Sequence, residues 1–368
     1  MKSDITKALR VALVAGLSLN PIAAEACTSF ILKNDDKSYV YARTFEFGLS
    51  LDEQLALVPR NYQFKGIGPD NVAGSGLNWT GKYAFLGVRV FGMPVLIDGM
   101  NEKGLSGGMQ NAPTTAVYQN PTGEDAKNSI TSYQMLNYIL SNFATTDEVK
   151  EGLPKIFINS VPLKQFGGMV RIHTTLHDLQ GKSIVVEYLD GKLVITDNPV
   201  GAMANDPPIS YHLANVNNYI NLSPFDAPPQ EFAGVTFAEQ SIGSGMHGLP
   251  GDFSSPSRYL RAFFFSQNAQ KYATKVPKVE LAWHMINMFD IPPGSAITGT
   301  AAQYKPGADP EYDYTTDTIV ADAQTLTYYF RPFQSLNIAK VEMKTQDLDG
   351  KDIKTWPIQS GTVYEELK

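Results

Sequence analysis

The sequence predicts an α+β protein, with antiparallel sheets covered by helices. Three observations carry this. Strand-like runs arrive in pairs across turn residues, as hairpins do. Segments of helical period are few and lie between the hairpins. Tyr (18), Phe (19), Gly (30) and Pro (23) are abundant, which suits a β-rich chain with many turns and an aromatic-lined site.

The elements follow in order. "CTSFILK" and "KSYVYAR", joined by "NDD", predict a hairpin beginning at Cys27. "PVLIDGMNEKGLSGGMQ" reads as strand, turn, strand. Its "GLSGG" matches G-x-S-x-G, but "MQNAP" after it starts no helix, so it is a glycine-rich turn and strand. "SYQMLNYILSNF" places Met135, Leu136, Ile139, Leu140 and Phe143 on one helical face, and "TTDEVKEGL" starts a second helix behind a Thr cap. "SIVVEYLDGKLVIT" is the strongest local signal, a tight hairpin turning at Asp190-Gly191. "SSPSRYLRAFFFSQNAQKY" predicts a helix with Ser255 as cap and Pro256 at its first position; its apolar face is Tyr259, Leu260, Phe263 and Phe264. "VPKVELAWHMINMF" is a further helix, and "DTIVADAQTLTYYFRPF" and "IAKVEMKTQDLDGKDIKTW" read as two closing hairpins. No repeat or linker interrupts the chain, which predicts one domain over 27–368.

The first 26 residues read differently. Lys2, Lys7 and Arg10 precede the apolar run "VALVAGLSL" and then Ala24-Glu25-Ala26, the layout of a secretory signal peptide with its cleavage site. The run is shorter than the ~20 residues that span a bilayer, so no stable membrane insertion is expected. Removal of 1–26 would leave Cys27, the only cysteine of the chain, as residue one of an exported, periplasmic or secreted protein. A lone thiol makes no intramolecular disulfide. Acylation is one reading, giving a lipid-tethered binding protein without catalysis. The lipoprotein signal usually wants Leu three residues earlier, where this chain has Ala24. The other reading is a nucleophile. A thiol titrates near 8.5 and an α-amine near 7.7–8.0, so a terminal cysteine carries its own base.

Other constellations are weaker. His173 and His177 are four apart, but the segment reads as strand, where that spacing is about 13 Å and unsuited to a shared metal. His212, His247 and His284 stand alone and read as structural. Neither a phosphate-binding loop nor a dinucleotide fingerprint is present, so no cofactor is implied. The net charge of −7 argues against a nucleic-acid partner. A hairpin return would bring Arg43 and Glu46 back beside Cys27, where a cation favours a thiolate. Asn205, before two prolines, is either a turn residue or an oxyanion donor. Arg258 sits in a helical first turn, the unfavourable end of the dipole for a cation, and could pair with Asp252.

Taken together, "CTSF", "ARTFEFG", "GLNWTGKY", "DGMNEKGLSGGMQNAP", "DNPVGAMANDPP", "NNYINLSP", "GSGMHGLPGDFSSPSRYLRA", "FDIPPG" and "TLTYYFRPF" resemble, in order, the choloylglycine hydrolases. That family of N-terminal nucleophile hydrolases includes conjugated bile acid hydrolases and penicillin V acylases. The resemblance implies a four-layer αββα sandwich of two antiparallel sheets, hydrolysis of a linear amide in a small molecule, and often a homotetramer. It implies Cys27 as nucleophile and Arg43 beside it. Glu46 stands where the family has aspartate, Asn205 matches with Ala204 in place of Thr, and Arg258 matches the family's helix arginine. Asn111 falls at the second oxyanion position, which is Asn in many bile-salt hydrolases and Tyr in several penicillin V acylases. Phe47, Trp79 and Tyr83 are candidates for an acyl pocket, with core packing the competing role. The leader favours a penicillin V acylase-like enzyme on aromatic or fatty acyl amides. Bile salts and acyl-homoserine lactones are the alternatives.

Overall fold

The computed structural model describes residues 26–48, 51–297, 299–300, 304, 312–358 and 360–367. Residues 1–25, on which the expected signal segment with Ala24 and Glu25 falls, lie outside the described residues. The principal strands are β1 (Cys27–Lys33), β2 (Tyr39–Glu46), β3 (Gln54–Val58), β4 (Phe85–Arg89), β5 (Leu96–Asn101), β6 (Ser106–Asn111), β7 (Ile172–His177), β8 (Ser183–Leu189), β9 (Lys192–Asp197), β10 (Thr315–Asp322), β11 (Thr327–Pro332), β12 (Ala339–Glu342) and β13 (Lys354–Trp356). A five-stranded sheet runs β1-β2-β10-β11-β12, and an eight-stranded sheet runs β9-β8-β7-β6-β5-β4-β3-β13. Every pairing in both is antiparallel. The main helices are α1 (Met135–Asn142), α2 (Thr146–Gly152), α3 (Ile209–Asn215), α4 (Ser255–Tyr272) and α5 (Lys278–Ile286). Helices α4 and α5 cover the smaller sheet and α1 packs on the larger one, giving the αββα order.

The two sheets face each other, and the strand alternation decides what lies between them. Cys27, Ile31, Tyr39, Tyr41 and Phe45 point into the core shared with the larger sheet. Their neighbours Phe30, Leu32, Val40 and Ala42 point the other way, against Tyr259, Ala262, Ala282 and Ile286 of the covering helices. Both faces are buried, which is why "CTSFILK" shows no clean apolar–polar alternation. The Tyr39 hydroxyl crosses the interface to bond Gly104 O and His177 O, at 2.7 and 2.8 Å.

Local signals mostly hold. Asp190 and Gly191 both adopt positive φ, 51° and 75°, as a two-residue hairpin turn of this hand requires. The Thr145 side chain caps α2 by accepting from Glu148 N. The α4 cap is Ser254, one residue before the one expected; Ser255 is already helical and its hydroxyl donates to Asn205 O at 2.8 Å. "IAKVEMKTQDLDGKDIKTW" is not a hairpin. Its first half, β12, pairs with β11 in one sheet and its second half, β13, with β3 in the other. The intervening turn at buried Met343 carries the chain between sheet edges.

The glycines of "GLSGG" are demanded by close approach. A Cβ on Gly108 would overlap Arg43 Nη1 and Asp98 Oδ2, and one on Gly107 would overlap the Thr175 carbonyl. Gly108→Ala should therefore lower stability by about 1–3 kcal/mol and cut activity, read by thermal melts and amide hydrolysis. Gly251→Ala, with open space at its Cβ, should leave both unchanged and serves as the control.

Candidate active site

Strand geometry assembles the site from its first residue. In the β1–β2 register Cys27 opposes Phe45 and Ser29 opposes Arg43, so Cys27 and Arg43 share the inter-sheet face. Arg43 Nη2 donates to Cys27 Sγ at 3.4 Å. The guanidinium is wholly buried and also donates to Ile97 O at 2.9 Å and to Met109 O. Its charge is matched by Asp98, with Nη1 at 3.0 Å from Oδ2. Asp98 in turn accepts from the Tyr41 hydroxyl at 2.8 Å and the Tyr328 hydroxyl at 2.6 Å. Burial works against the Arg43 charge, but Cys27, Tyr41 and Asp98 outweigh it and hold its pKa above the usual value. A cation fixed against sulfur favours the thiolate.

The backbone of Cys27 is held from the opposite side. Its N–H donates to Asn205 Oδ1 at 2.5 Å, and Arg258 Nη2 donates to the same oxygen at 2.9 Å. Arg258 Nη1 reaches Cys27 O at 2.5 Å and Thr28 Oγ1 at 2.7 Å. Asp252 does not take Arg258; it accepts from Ser254 N and the Ser257 hydroxyl. The position of a cation in the first turn of α4 is thus explained by what it holds. Burial lowers the Arg258 pKa, with Glu46, Cys27 and Asp313 opposing.

Glu46 lies next to the same peptide. Its N–H donates to Ala26 O at 3.0 Å, beside the peptide bond that joins Ala26 to Cys27. Its Oε1 accepts from Thr315 Oγ1 at 2.9 Å, while Oε2 is buried with no partner among the described residues. Burial pushes the carboxyl up to about 8, with Arg258, Thr44 and Thr315 pulling back.

Asn205 Nδ2 donates one hydrogen to Asn111 O at 3.1 Å, which ties the two asparagines together. Asn111 Nδ2 is buried without a partner among the described residues. Asn111 is also the polar member of an otherwise largely apolar cavity lined by Phe45, Phe91, Met109, Tyr133 and Phe166, among others. Phe47 backs this wall, with ring centroids 6.1 Å from Phe45 and 5.7 Å from Phe166. Trp79 and Tyr83 do not line it. Trp79 stacks on Phe64 at 4.6 Å and donates Nε1–H to Ser141, while Tyr83 lies under the ammonium groups of Lys82 and Lys103.

Asp98 was missed by sequence reasoning, although a lone carboxylate in the apolar run "PVLIDGM" was a signal. The cavity residues come from widely separated segments, and no local pattern marks them.

Residues 27–356 match the family model described as linear amide C–N hydrolases, choloylglycine hydrolase family. The chain belongs to the choloylglycine hydrolase family. It is accordingly an amidohydrolase acting on linear amides. A bile salt hydrolase/transferase of Clostridium perfringens is 30% identical, over 90% of this chain and 96% of that protein. A penicillin V acylase of Pectobacterium atrosepticum is 28% identical, over 90% of this chain and 84% of its own length. The crystal structure of a variant conjugated bile acid hydrolase from Clostridium perfringens superposes with a TM-score of 0.82, at 28% identity, covering 93% of this chain and all of that one.

Two consequences are measurable. Asp98→Asn leaves the buried Arg43 without its counter-charge and should cost about 3–5 kcal/mol in chemical denaturation, whereas Tyr328→Phe should cost roughly 1.5–3 kcal/mol. Glu46 binds its proton more tightly in the folded chain than unfolded, so the stability it contributes is complete below pH 4.5 and is lost as pH rises towards about 8. The full chain should lose stability relative to Glu46→Gln across that window; a constant difference would refute the assignment.

Proposed function

We propose that the chain is an exported hydrolase whose nucleophile is Cys27, acting as an N-terminal residue after removal of residues 1–26. The carrying observation is the double hold on Cys27: Arg43 Nη2 on its Sγ and Asn205 Oδ1 on its nitrogen. The family match begins at Cys27, which supports the cut before it. The side chain is buried between the sheets, so the site favours a nucleophile over an acylated anchor. A secretory leader supports a periplasmic or secreted location.

In this reading the α-amine takes the Sγ proton and the thiolate attacks the amide carbon. Asn111 Nδ2 and the second hydrogen of Asn205 Nδ2 receive the oxyanion. The ammonium returns its proton to the leaving nitrogen as the C–N bond breaks, leaving a thioester. Water then attacks, gives its proton to the amine and releases the acid; the proton returns to sulfur. Arg43, Glu46 and Arg258 hold the charges in register. Uncleaved protein carries an amide at this nitrogen and has no base.

The cavity beside Asn111 supports an aromatic or fatty acyl group, as in a penicillin V acylase-like enzyme. Phe47 serves it by backing the aromatic wall. Bile salts are the second reading, favoured by Asn111 and by the bile salt hydrolase relatives. The homotetramer implied by resemblance is supported by an exposed hairpin, Gln230–Phe232 and Val235–Phe237, that leaves Phe232, Val235 and Phe237 in solvent. No helix among the described residues is long and apolar enough to cross a membrane.

Amine release from penicillin V and glycocholate tests the reading, with Cys27→Ser as the blank. The chain starting at Cys27 should cleave penicillin V preferentially, Asn111→Ala should lose roughly 10²–10³ in turnover, and a chain keeping 1–26 should be inactive. Preference for glycocholate would move the assignment to bile salts. Full activity in Cys27→Ser or in the uncleaved chain would remove the mechanism.

A further inference from the structure

The segment carrying Asn205 is loop, yet its carbonyls are held as firmly as a strand's. Met203 forms a two-way backbone bridge with Ser29 of β1, at 2.8 and 2.9 Å. His173 Nε2 lies 2.8 Å from Ala204 O, and His212 Nε2 lies 2.9 Å from Asn205 O. The Ser255 hydroxyl adds a second donor on Asn205 O. A carbonyl accepts only, so each histidine carries its hydrogen on Nε2. Both Nδ1 atoms are buried with no partner among the described residues. A buried unpaired polar atom is destabilising, so these rings are poor choices for packing alone. His212 is further fixed by stacking on Tyr259, centroids 4.5 Å apart and planes 18° apart.

The two donors come from different elements, β7 and α3, and converge on consecutive peptides. His173 stands opposite Gln110 in the β6–β7 register, next to the Asn111 pair. Asp206 then accepts from Thr114 N and the hydroxyls of Thr114 and Thr115, fastening the loop that follows Asn111. The asparagines are thereby held in one frame.

We propose that His173 and His212 are positioning residues for hydrolysis: as neutral Nε2–H donors they fix the Ala204 and Asn205 carbonyls and so aim the Asn205 side chain across the Cys27 nitrogen. This rests on the proposed role of Asn205. A displacement of about 1 Å at such a group costs on the order of 10²-fold in rate.

The test uses the chain starting at Cys27 and steady-state amine release, with His173→Phe, His212→Phe, the corresponding Gln variants, and Asn205→Ala. Each Phe variant should lower kcat about 10- to 100-fold with KM within threefold. Each Gln variant, which keeps an amide donor, should recover most of the loss. In an Asn205→Ala background the Phe substitutions should have little further effect. Ring-nitrogen NMR of the unmodified protein should show both rings neutral with hydrogen on Nε2, a readout independent of turnover and of variant folding. Either ring found as the Nδ1–H tautomer, Phe variants with unchanged kcat, or losses undiminished in the Asn205→Ala background would overturn the proposal. Full activity of Asn205→Ala alone would instead overturn the role given to Asn205, while the tautomers would still report whether the histidines hold its backbone.

Discussion

The buried pair of Arg43 and Asp98 joins the two sheets, and the site depends on it. Arg43 stands on β2 and Asp98 on β5, and neither has access to solvent. Taking two charges out of water costs several kcal/mol each unless geometry and hydrogen bonds compensate. Here burial still raises the Asp98 pKa, opposed by the hydrogen bonds it accepts from Arg43, Tyr41 and Tyr328. The same arginine presents its other nitrogen to Cys27. The glycine at 108 leaves the room that this packing needs. One guanidinium thus links the inter-sheet ion pair to the Cys27 sulfur.

A second arginine works on the other side of Cys27. Arg258 binds the Cys27 carbonyl, the Thr28 hydroxyl and Asn205 Oδ1. Cys27 therefore sits between two buried cations, one on its sulfur and one on its backbone. The nearby carboxyl groups of Glu46 and Asp313 are raised by burial, to about 8 and about 6. Their buried oxygens without partners, Glu46 Oε2 and Asp313 Oδ1, give the region acceptor capacity that the described contacts do not use. In the proposed chain starting at Cys27, an α-ammonium there is the group such acceptors would favour.

The layered fold explains why polar groups can be placed so deep. Strands β1 and β2 are covered on both faces, by the larger sheet and by α4 and α5. Side chains on the inter-sheet face meet no water, so their geometry is set by partners. The apolar cavity beside Asn111 has an aromatic wall of Phe45, Phe91, Tyr133 and Phe166, drawn from separate segments of the chain.

Much of this was legible in the sequence because it is local. Hairpins at Asp190-Gly191 and at β1–β2, the Thr145 cap and the helical face of 135–140 follow from turn chemistry and periodicity. The return of Arg43 to Cys27 is also local, since a hairpin's register sets it. The lone cysteine behind a cleavage pattern determined which residue to suspect, and the ordered strings determined the family to expect. Tertiary structure alone decided the rest. Asp98, Phe91, Phe166 and the two histidines reach the site from distant segments, and β12 and β13 part into different sheets. The packing partners of Trp79 and Tyr83 are likewise ones that no spacing reveals. The physical reason is the range of the forces: turns and caps act over a few residues, while burial and charge pairing act between any residues the fold brings together.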